Sequence, residues 1–390
     1  MIYFDNGATT FPKPVSVLNA VNRALRLYGA NPGRGGHSMS LKASEIMYEC
    51  RSNAAKLFDA QSPDKIIFTY NCTTALNYVI KGVLTKGDHA VISSLEHNAV
   101  VRPLEKLKEQ GVEYSVADYS YNDDETIDNF RNAIRPNTKL VICTHASNVF
   151  GVRLPVERIA ALCKIHGVLF CVDAAQSAGV APVSLKESGI DFLCTAGHKG
   201  LYGPMGTGIL AINSEYLPDD IIQGGTGSYS LELKQPQILP DRYESGTPNL
   251  PGITGLNEGI KFVLKRTESA IERHENQLAE HLYKGLSNTQ GVKLYVDMNK
   301  HSKCLPVVSF NIENLDSEET AQILDKEFKI SVRAGLHCAP LAHRFFGTEE
   351  RGTVRAVLSV FSDYRQVNYF ISSVNKICRY KSTKKVAINI

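Results

Sequence analysis

The 390-residue sequence lacks several common patterns. Its nine cysteines include no Cys-x-x-Cys pair. Scattered cysteines in odd number argue against a disulfide framework and a zinc knuckle, so we expect no metal site and a reducing, cytoplasmic location. No apolar run approaches the ~18 residues of a membrane helix. The N-terminus has no charged segment followed by an apolar run, so we expect no signal peptide.

An excess of charge of one sign is also missing. Lys and Arg total 43 and Asp and Glu total 40, which gives a formal net charge of +3. This balance gives no reason to expect a nucleic acid or an acidic membrane as a partner. The one local excess is the basic tail of residues 379–385, which we expect to be a solvated, frayed terminus.

What the sequence does contain is a regular alternation of short apolar runs and helical patterns. Near-continuous apolar strands separated by helices predict an α/β fold, with a mainly parallel sheet covered on both faces. Two of the predicted helices are residues 100–110 and 156–166. The predicted strands are residues 65–69, 90–93, 140–144, 168–172, 192–195 and 208–211.

A different pattern begins after Gly252 and indicates a second domain, as the chain length also suggests. We predict a large domain of residues 15–255 and a smaller α+β domain of residues 1–14 and 256–390. The elements predicted for the smaller domain are a long helix at 255–286, a strand at 307–311, a helix at 317–328, strands at 330–332 and 354–360, and a closing helix at 366–380.

One lysine stands in an unusual position. Lys199 follows a short apolar strand in the glycine-flanked run Gly197-His198-Lys199-Gly200. Burying a lysine there costs several kcal/mol unless its charge is paired or removed. Upstream, Asp173 ends another buried strand. This pair suits a pyridoxal phosphate site, in which the lysine forms the Schiff base and the aspartate keeps the pyridine nitrogen protonated.

Other polar residues follow the predicted strands. Ligands of open α/β sheets collect at the carboxyl ends of the strands. The segment Asn71–Ala75 comes after a strand and before a helix, so its amides and the Thr73 hydroxyl suit a phosphate, although a plain helix cap has the same pattern. The polar segments at strand ends are residues 69–71, 96–97, 145–148, 173–176 and 197–199.

Cys338 lies in a loop shaped by a glycine and a proline, Arg333-Ala334-Gly335-Leu336-His337-Cys338-Ala339-Pro340. Basic neighbours favour the thiolate, which is the nucleophilic form of cysteine, whereas the other eight cysteines fit a core position better. Zinc binding by His337 and Cys338 is disfavoured because adjacent ligands without a second pair make a poor tetrahedral site. Arg355, at the start of a predicted strand, suits a substrate carboxylate.

Together these segments resemble the cysteine desulfurases of the class V aminotransferase family, over nearly the whole chain. The resemblance implies fold type I of the pyridoxal phosphate enzymes, a seven-stranded, mostly parallel sheet, and a homodimer. The motifs that carry it are Gly197-His198-Lys199, Val172-Asp173-Ala174-Ala175-Gln176 and Arg333-Ala334-Gly335-Leu336-His337-Cys338.

The resemblance also implies a role for each site residue. Lys199, Cys338 and His97 are expected to be catalytic, and Arg355, His37, Asn148 and Arg333 to bind substrate. One departure is Ala196, where the family has a serine; either a phosphate hydrogen bond is missing or Thr195 supplies it. The residues expected at the cofactor are Thr73, Thr74, His97, Asn148, Asp173, Gln176, His198, Lys199 and, from the neighbouring subunit, Thr247.

The implied activity is release of L-alanine from L-cysteine, with a persulfide formed on Cys338 and passed to a small protein acceptor. The short run from Gly335 to Arg355 is typical of desulfurases with a compact sulfur loop. Three alternatives stay open at this point: a selenocysteine lyase, another lyase or epimerase of the family, and a non-catalytic scaffold that binds a sulfur-transfer partner.

Overall fold

A seven-stranded sheet forms the centre of the larger of two units in the computed structural model, which describes residues 1–33, 35–298 and 304–388. This large unit comprises Lys13–His145 and Leu154–Glu268. The small unit comprises Met1–Pro12, Ala146–Arg153 and Ser269–Ile390. The order of strands in the large sheet is β2-β8-β7-β6-β5-β3-β4, and only β8 runs antiparallel to its neighbours.

The α/β prediction and the mostly parallel sheet are confirmed. Ile142, Cys171 and Leu193, on three adjacent central strands, are fully buried, as expected for strands covered on both faces. β4 was not predicted, because it is an edge strand of mixed polarity whose first residue is exposed. The strands are β2 Ile66–Thr69, β3 His89–Ser93, β4 Glu113–Ala117, β5 Thr138–Thr144, β6 Leu169–Asp173, β7 Phe192–Ala196 and β8 Gly208–Ile212.

Helices of the large unit connect these strands. Because a Cβ on Gly255 of α8 would lie 2.7 Å from Val21 of α1, the glycine allows α1 and α8 to approach closely. Their bounds are α1 Val15–Leu27, α2 Ser38–Phe58, α3 Cys72–Val83, α4 Asn98–Lys108, α5 Asp123–Ala133, α6 Val156–His166, α7 Leu185–Ser188 and α8 Leu250–Arg266.

The small unit has two short sheets, β12-β10-β9 and β1-β11. Phe4, Phe310 and Phe370 are fully buried at its core, where the ring of Phe370 contacts those of Phe4 and Phe310. The elements are β1 Ile2–Tyr3, β9 Val292–Leu294, β10 Val307–Ile312, β11 Ile330–Ser331, β12 Val354–Val357, α9 Glu268–Ser287, α10 Ser317–Phe328, α11 Pro340–Phe345 and α12 Tyr364–Ile388.

The helix predicted at 255–286 is two helices. α8 ends at Arg266 and α9 begins at Glu268, because Thr267 between them has a φ of +66° that no helix accommodates. The predicted domain boundary at residue 255 therefore falls inside α8, which belongs to the large unit. Residues 146–153, predicted for the large domain, belong to the small unit because they pair there, Val152 with Cys304.

Two further features concern the helices. The basic tail of residues 379–385 lies on α12, whose backbone is helical to Ile388; the side chains beyond Arg379 lie outside the described residues. Among the helices of the described ranges, we find none with the length and apolar character needed to cross a membrane.

Candidate active site

Asp173 is a buried carboxylate at the carboxyl end of β6, with only 4% of its surface exposed. Its Oδ1 accepts a hydrogen bond from the Ala175 amide at 2.9 Å. The Cys72 thiol lies 3.4 Å from the same oxygen, and burial and the Asp173 charge raise the pKa of that thiol well above its ordinary value. Cys72 therefore stays protonated and donates to Asp173, which fixes the carboxylate from a second side.

Lys199 lies in a turn closed by glycines after β7. The Gly197 amide donates to Thr207 O at 2.9 Å, and the Tyr202 amide donates to Lys199 O at 2.8 Å. A Cβ at Gly200 would lie only 2.3 Å from Ala178 O, so no larger residue fits there. The turn therefore holds the Lys199 backbone in one place, as a covalent attachment point requires.

The histidine before Lys199 is neutral. Burial, then the charges of Lys199 and Lys13, lower the pKa of His198 from 6.5 to about 4. Lys13 donates from Nζ to His198 O at 2.7 Å, and burial lowers the pKa of Lys13 to about 8. Sequence reasoning missed Lys13; its only signal was a lone lysine between Pro12 and Pro14.

The predicted phosphate loop is, in this structure, an Asn-capped helix start. Asn71 is the N-cap of α3, and its Oδ1 accepts from the Thr74 amide at 2.9 Å and from the Thr74 hydroxyl at 3.1 Å. Thr73 is exposed at the first turn. The helix N-terminus still provides the positive end of a dipole and nearby hydroxyl groups, which suit an anion.

Thr247 and Thr74 line the same cavity of about 90 Å³ within the large unit. Thr247 is exposed, on the segment after Glu244. The Arg51 side chain pairs with Glu244, whose Oε1 also accepts from the Phe68 amide at 2.6 Å, so this segment is fixed to β2. The structure thus brings Thr247 near Thr74 of the same chain.

At the position of the missing serine, Ala196 is buried and ends β7. The neighbouring Thr195 is also buried, and its hydroxyl donates to Ala174 O at 3.3 Å. If Thr195 replaces the missing serine at the phosphate, its hydroxyl must give up this hydrogen bond to the Ala174 carbonyl.

His97 and Gln176 are half-buried at the same end of the sheet. His97 caps α4, and its Nδ1 accepts from the Ala99 amide at 3.0 Å. Gln176 lies in the turn after β6. Because β2, β3, β5, β6 and β7 run in one direction, the residues that follow them meet at one sheet edge.

His37, predicted to bind substrate, is the N-cap of α2 in this structure. It is exposed and caps α2, where its Nδ1 lies 3.4 Å from the Ser40 amide. The adjacent Arg34 lies outside the described residues.

Arg355 belongs to the small unit and is fully buried on β12. Its Nη1 donates to Asn148 O at 2.7 Å and its Nη2 to Asp5 Oδ1 at 3.0 Å. A Cβ at Gly7 would lie 3.1 Å from the guanidinium, so Gly7 makes room for it. The Nε atom is buried and has no hydrogen-bond partner among the described residues.

Cys338 is exposed, whereas the other eight cysteines are buried, and all nine are free thiols within the described ranges. His337 and Cys338 both have left-handed backbones, with φ of +48° and +58°. Such a turn costs about 1–2 kcal/mol per residue, so the surroundings must hold it. Gly335 exchanges two backbone hydrogen bonds with Thr353 at 3.1 Å, which ties the loop to β12.

Three side chains support this turn. His337 is buried, with Nε2 3.0 Å from Thr353 O, and burial and Arg355 lower its pKa to about 2, so it is neutral. Asn148 donates from Nδ2 to His337 O at 2.8 Å. Arg333 lies with Nη2 3.8 Å from Cys338 Sγ. The Asn148 amide, predicted for cofactor and substrate, thus supports the sulfur loop.

The predicted site residues therefore divide between the units. The large unit carries Lys199, Asp173, His198 and their neighbours, and the small unit carries Cys338, Arg333, Arg355 and Asn148. In the part of the chain that the structure describes, no three His, Cys, Asp or Glu side chains are grouped to hold a metal ion. A buried acid, a fixed lysine and a helix N-terminus at one sheet edge fit an anionic aromatic aldehyde.

Comparison with known proteins gives a consistent result. The family model for aminotransferase class-V matches residues 2–370. A probable cysteine desulfurase of Pyrococcus abyssi is 36% identical, over 97% of this chain and 94% of its own. A probable cysteine desulfurase of Methanothermobacter thermautotrophicus is 33% identical, over 96% of this chain and 94% of its own. The apo structure of a cysteine desulfurase from Thermococcus onnurineus superposes with a TM-score of 0.90 at 33% identity, over 97% and 94%.

Proposed function

Because the chain belongs to the class-V aminotransferase family and to its cysteine desulfurases, with fold type I, we propose that it converts L-cysteine to L-alanine and takes the sulfur onto Cys338. The observation that carries this proposal is the exposed thiol of Cys338. It is held on a turn tied to the strand of Arg355, while the other eight cysteines are buried.

Pyridoxal phosphate is the cofactor that we propose for the large unit. Lys199 would bind its aldehyde, Asp173 its pyridine nitrogen, and Thr73, Thr74 and His198 its phosphate. His97 and Gln176 would hold the ring and its phenolic oxygen. When bound, the cofactor supplies an electron-accepting ring that stabilises negative charge on the adjacent carbon of an amino acid.

The side chains then have separate tasks. Arg355 would bind the substrate carboxylate through N–H groups that these contacts leave unused, while Asp5 and the Asn148 carbonyl hold the guanidinium in place. The Lys199 amine would take the proton from the substrate α-carbon and return it to that carbon in the product, and the His97 ring would move a proton at the same end of the sheet. Arg333 and His37 are further groups for the substrate.

Sulfur transfer needs no external oxidant. The Cys338 thiolate attacks the substrate sulfur, an S–S bond forms, and the carbon–sulfur bond breaks. The electron pair of that bond stays on the substrate carbon, which takes up a proton and becomes the methyl group of alanine. Arg333, 3.8 Å from Cys338 Sγ, is placed to contact an anionic sulfur. The persulfide then passes to a small protein acceptor.

We further propose a homodimer in a reducing cytoplasm, which suits nine free thiols. Residues 222–238 expose Leu231 and Leu233 almost completely. This segment is bonded to the segment of Thr247, since the Gly246 amide donates to Gly225 O at 2.9 Å. Exposed leucines on a segment bonded to that of Thr247 fit burial against a second copy, whose phosphate site Thr247 would then reach.

The test is alanine release from L-cysteine in the presence of a thiol acceptor. Cys338→Ala is expected to lower alanine release at least about a hundredfold while the absorbance of the bound cofactor is unchanged. Cys378→Ala, at a buried cysteine on α12, is the matched control and is expected to keep full activity. Full activity of Cys338→Ala on cysteine would end the proposal; activity on selenocysteine alone would make the protein a selenocysteine lyase.

A further inference from the structure

Glu96 is a fully buried acid that the proposed chemistry does not use. It lies three residues after the end of β3 and directly before His97, the cap of α4. Its Oε1 accepts from the Ser93 hydroxyl at the end of β3 and, at 2.7 Å, from the Thr144 amide at the end of β5. One carboxyl oxygen therefore joins the ends of two adjacent strands of the sheet.

The second oxygen is in a different situation. Glu96 Oε2 is buried and has no hydrogen-bond partner in the part of the chain that the structure describes. The charged or titratable groups that act on Glu96 or feel its charge are Asp173 on β6, an anion, and the buried Cys143 thiol on β5. A carboxylate with an unpaired oxygen and an anion nearby is strongly disfavoured away from water.

The acid therefore keeps its proton at neutral pH. The pKa of Glu96 is raised from 4.5 to about 8, mainly by burial and in part by Asp173, against the opposing effect of the Ser93 and Thr144 hydrogen bonds. Glu244 is the instructive contrast, because its buried carboxylate is paired with Arg51 and bonded to the Phe68 amide.

We infer that Glu96 is a positioning residue that works as a neutral carboxylic acid, joining the ends of β3 and β5 so that His97 and Asp173 stand in fixed places. The inference rests on the proposed function for its catalytic meaning. As a neutral group, Glu96 leaves Asp173 as the negative charge that faces the cofactor's pyridine nitrogen. If Glu96 were ionised, it would add a second negative charge at that end of the sheet. Asp173 would then no longer be the single anion available to the pyridine nitrogen.

The first experiment needs no cofactor. Because the folded chain keeps a proton on Glu96 that the unfolded chain loses above pH 4.5, the contribution of Glu96 to the stability of the wild type falls as pH rises from about 4.5 to about 8 and then levels. Glu96→Gln removes this fall. The apo variant is expected to match the wild-type melting temperature at pH 5 and to exceed it by several degrees at pH 9.

Glu244→Gln is the matched control, since the same substitution there breaks a buried ion pair. It is expected to lower the melting temperature at both pH values. If the melting temperatures of wild type and Glu96→Gln differ by the same amount at pH 5 and pH 9, Glu96 is not held as a neutral acid and the inference is overturned.

The second experiment uses the loaded enzyme. Glu96→Gln keeps the acceptor oxygen, so it is expected to keep kcat at pH 7 and to retain activity above pH 8, where the wild type loses it. Glu96→Ala removes the link and is expected to lower kcat at least about tenfold through misplacement of His97. Equal pH profiles of kcat for wild type and Glu96→Gln would reject the inference.

The two proposals fail separately. If the wild type binds pyridoxal phosphate but releases no alanine, the desulfurase assignment is lost, whereas the pH dependence of apo stability still decides the state of Glu96. If the wild type is active and Glu96→Ala is as active as the wild type, the assignment stands and the positioning role is lost.

Discussion

Lys13 illustrates, at the scale of single residues, how one half-buried lysine supports the turn that carries another. Its Nζ donates to the carbonyl of His198, the residue before Lys199, and burial lowers its pKa to about 8. A hydrogen bond from a cation is worth about 1.5–3 kcal/mol. Lys13 therefore stiffens the turn on which the proposed covalent attachment depends, and its charge helps to keep His198 neutral.

We predict that Lys13→Ala weakens cofactor retention about tenfold, because loss of that hydrogen bond loosens the turn. The measurement is the loss of cofactor absorbance during dialysis against buffer. Lys164→Ala, at an exposed lysine on α6, is the control and is expected to behave as the wild type. Equal loss from both variants would remove Lys13 from the site.

The sequence indicated Asp173, Lys199 and Cys338 because each lies in a short pattern whose chemistry is local. Lys13 and the role of Glu96 were out of reach, since each depends on contacts made only in the fold, Lys13 with His198 and Glu96 with Thr144. Arg355 was predicted to bind a substrate carboxylate, but its bonds to Asp5 and to the Asn148 carbonyl could not be read from the sequence. Contacts between residues that are distant in sequence cannot be predicted from short local patterns.

At the scale of elements, Thr267 is the clearest case of local backbone conflict. It separates α8 from α9 with φ of +66° and ψ of +137°, a region that a β-branched residue rarely adopts. The periodicity of 255–286 suggested one helix because the charges on one face continue across the break. A single strained residue thus overrides a pattern of about thirty.

Thr267→Gly is expected to stabilise the protein by about 1 kcal/mol, because glycine adopts this conformation without strain. In thermal unfolding the rise is expected to be about 2 °C. The control is Thr320→Gly in α10, where a buried threonine donates to Asp316 O at 2.9 Å, and it is expected to lower stability. If Thr267→Gly lowers the melting temperature instead, the threonine side chain stabilises the protein by more than its strained backbone destabilises it.

Elements with strong periodicity were predicted closely: α6 at Val156–His166 and α10 at Ser317–Phe328. β4 and β9 were missed, since both are edge strands with little fully buried surface. Burial on both faces gives a strand its apolar signature, so an edge strand resembles a loop in sequence.

At the scale of the whole molecule, the exposed leucines of segment 222–238 indicate a surface that is covered by a partner. Leu231 and Leu233 are almost fully exposed, an arrangement that single-chain proteins avoid over larger patches. Gln235 donates to Ser245 Oγ at 3.0 Å, so order in this segment extends to the segment of Thr247.

We predict a solution mass of twice the 42.9 kDa of the chain by light scattering. The double variant Leu231→Ser, Leu233→Ser is expected to shift the protein toward the single-chain mass and to weaken cofactor retention. Leu25→Ser, at an exposed leucine on α1, is the control and is expected to leave the mass unchanged. A wild type of single-chain mass would contradict the homodimer.

The way that Gly335, Thr353 and His337 hold the Cys338 turn has a consequence for delivery. The thiol follows two residues, Gly335 and His337, that are bonded to Thr353 beside β12, so the loop has little slack with which to carry the sulfur outward. Any recipient must therefore insert its own reactive side chain towards the anchored sulfur. The shape of the acceptor protein around its reactive side chain, and not the mobility of the Cys338 loop, would then decide which proteins receive the sulfur.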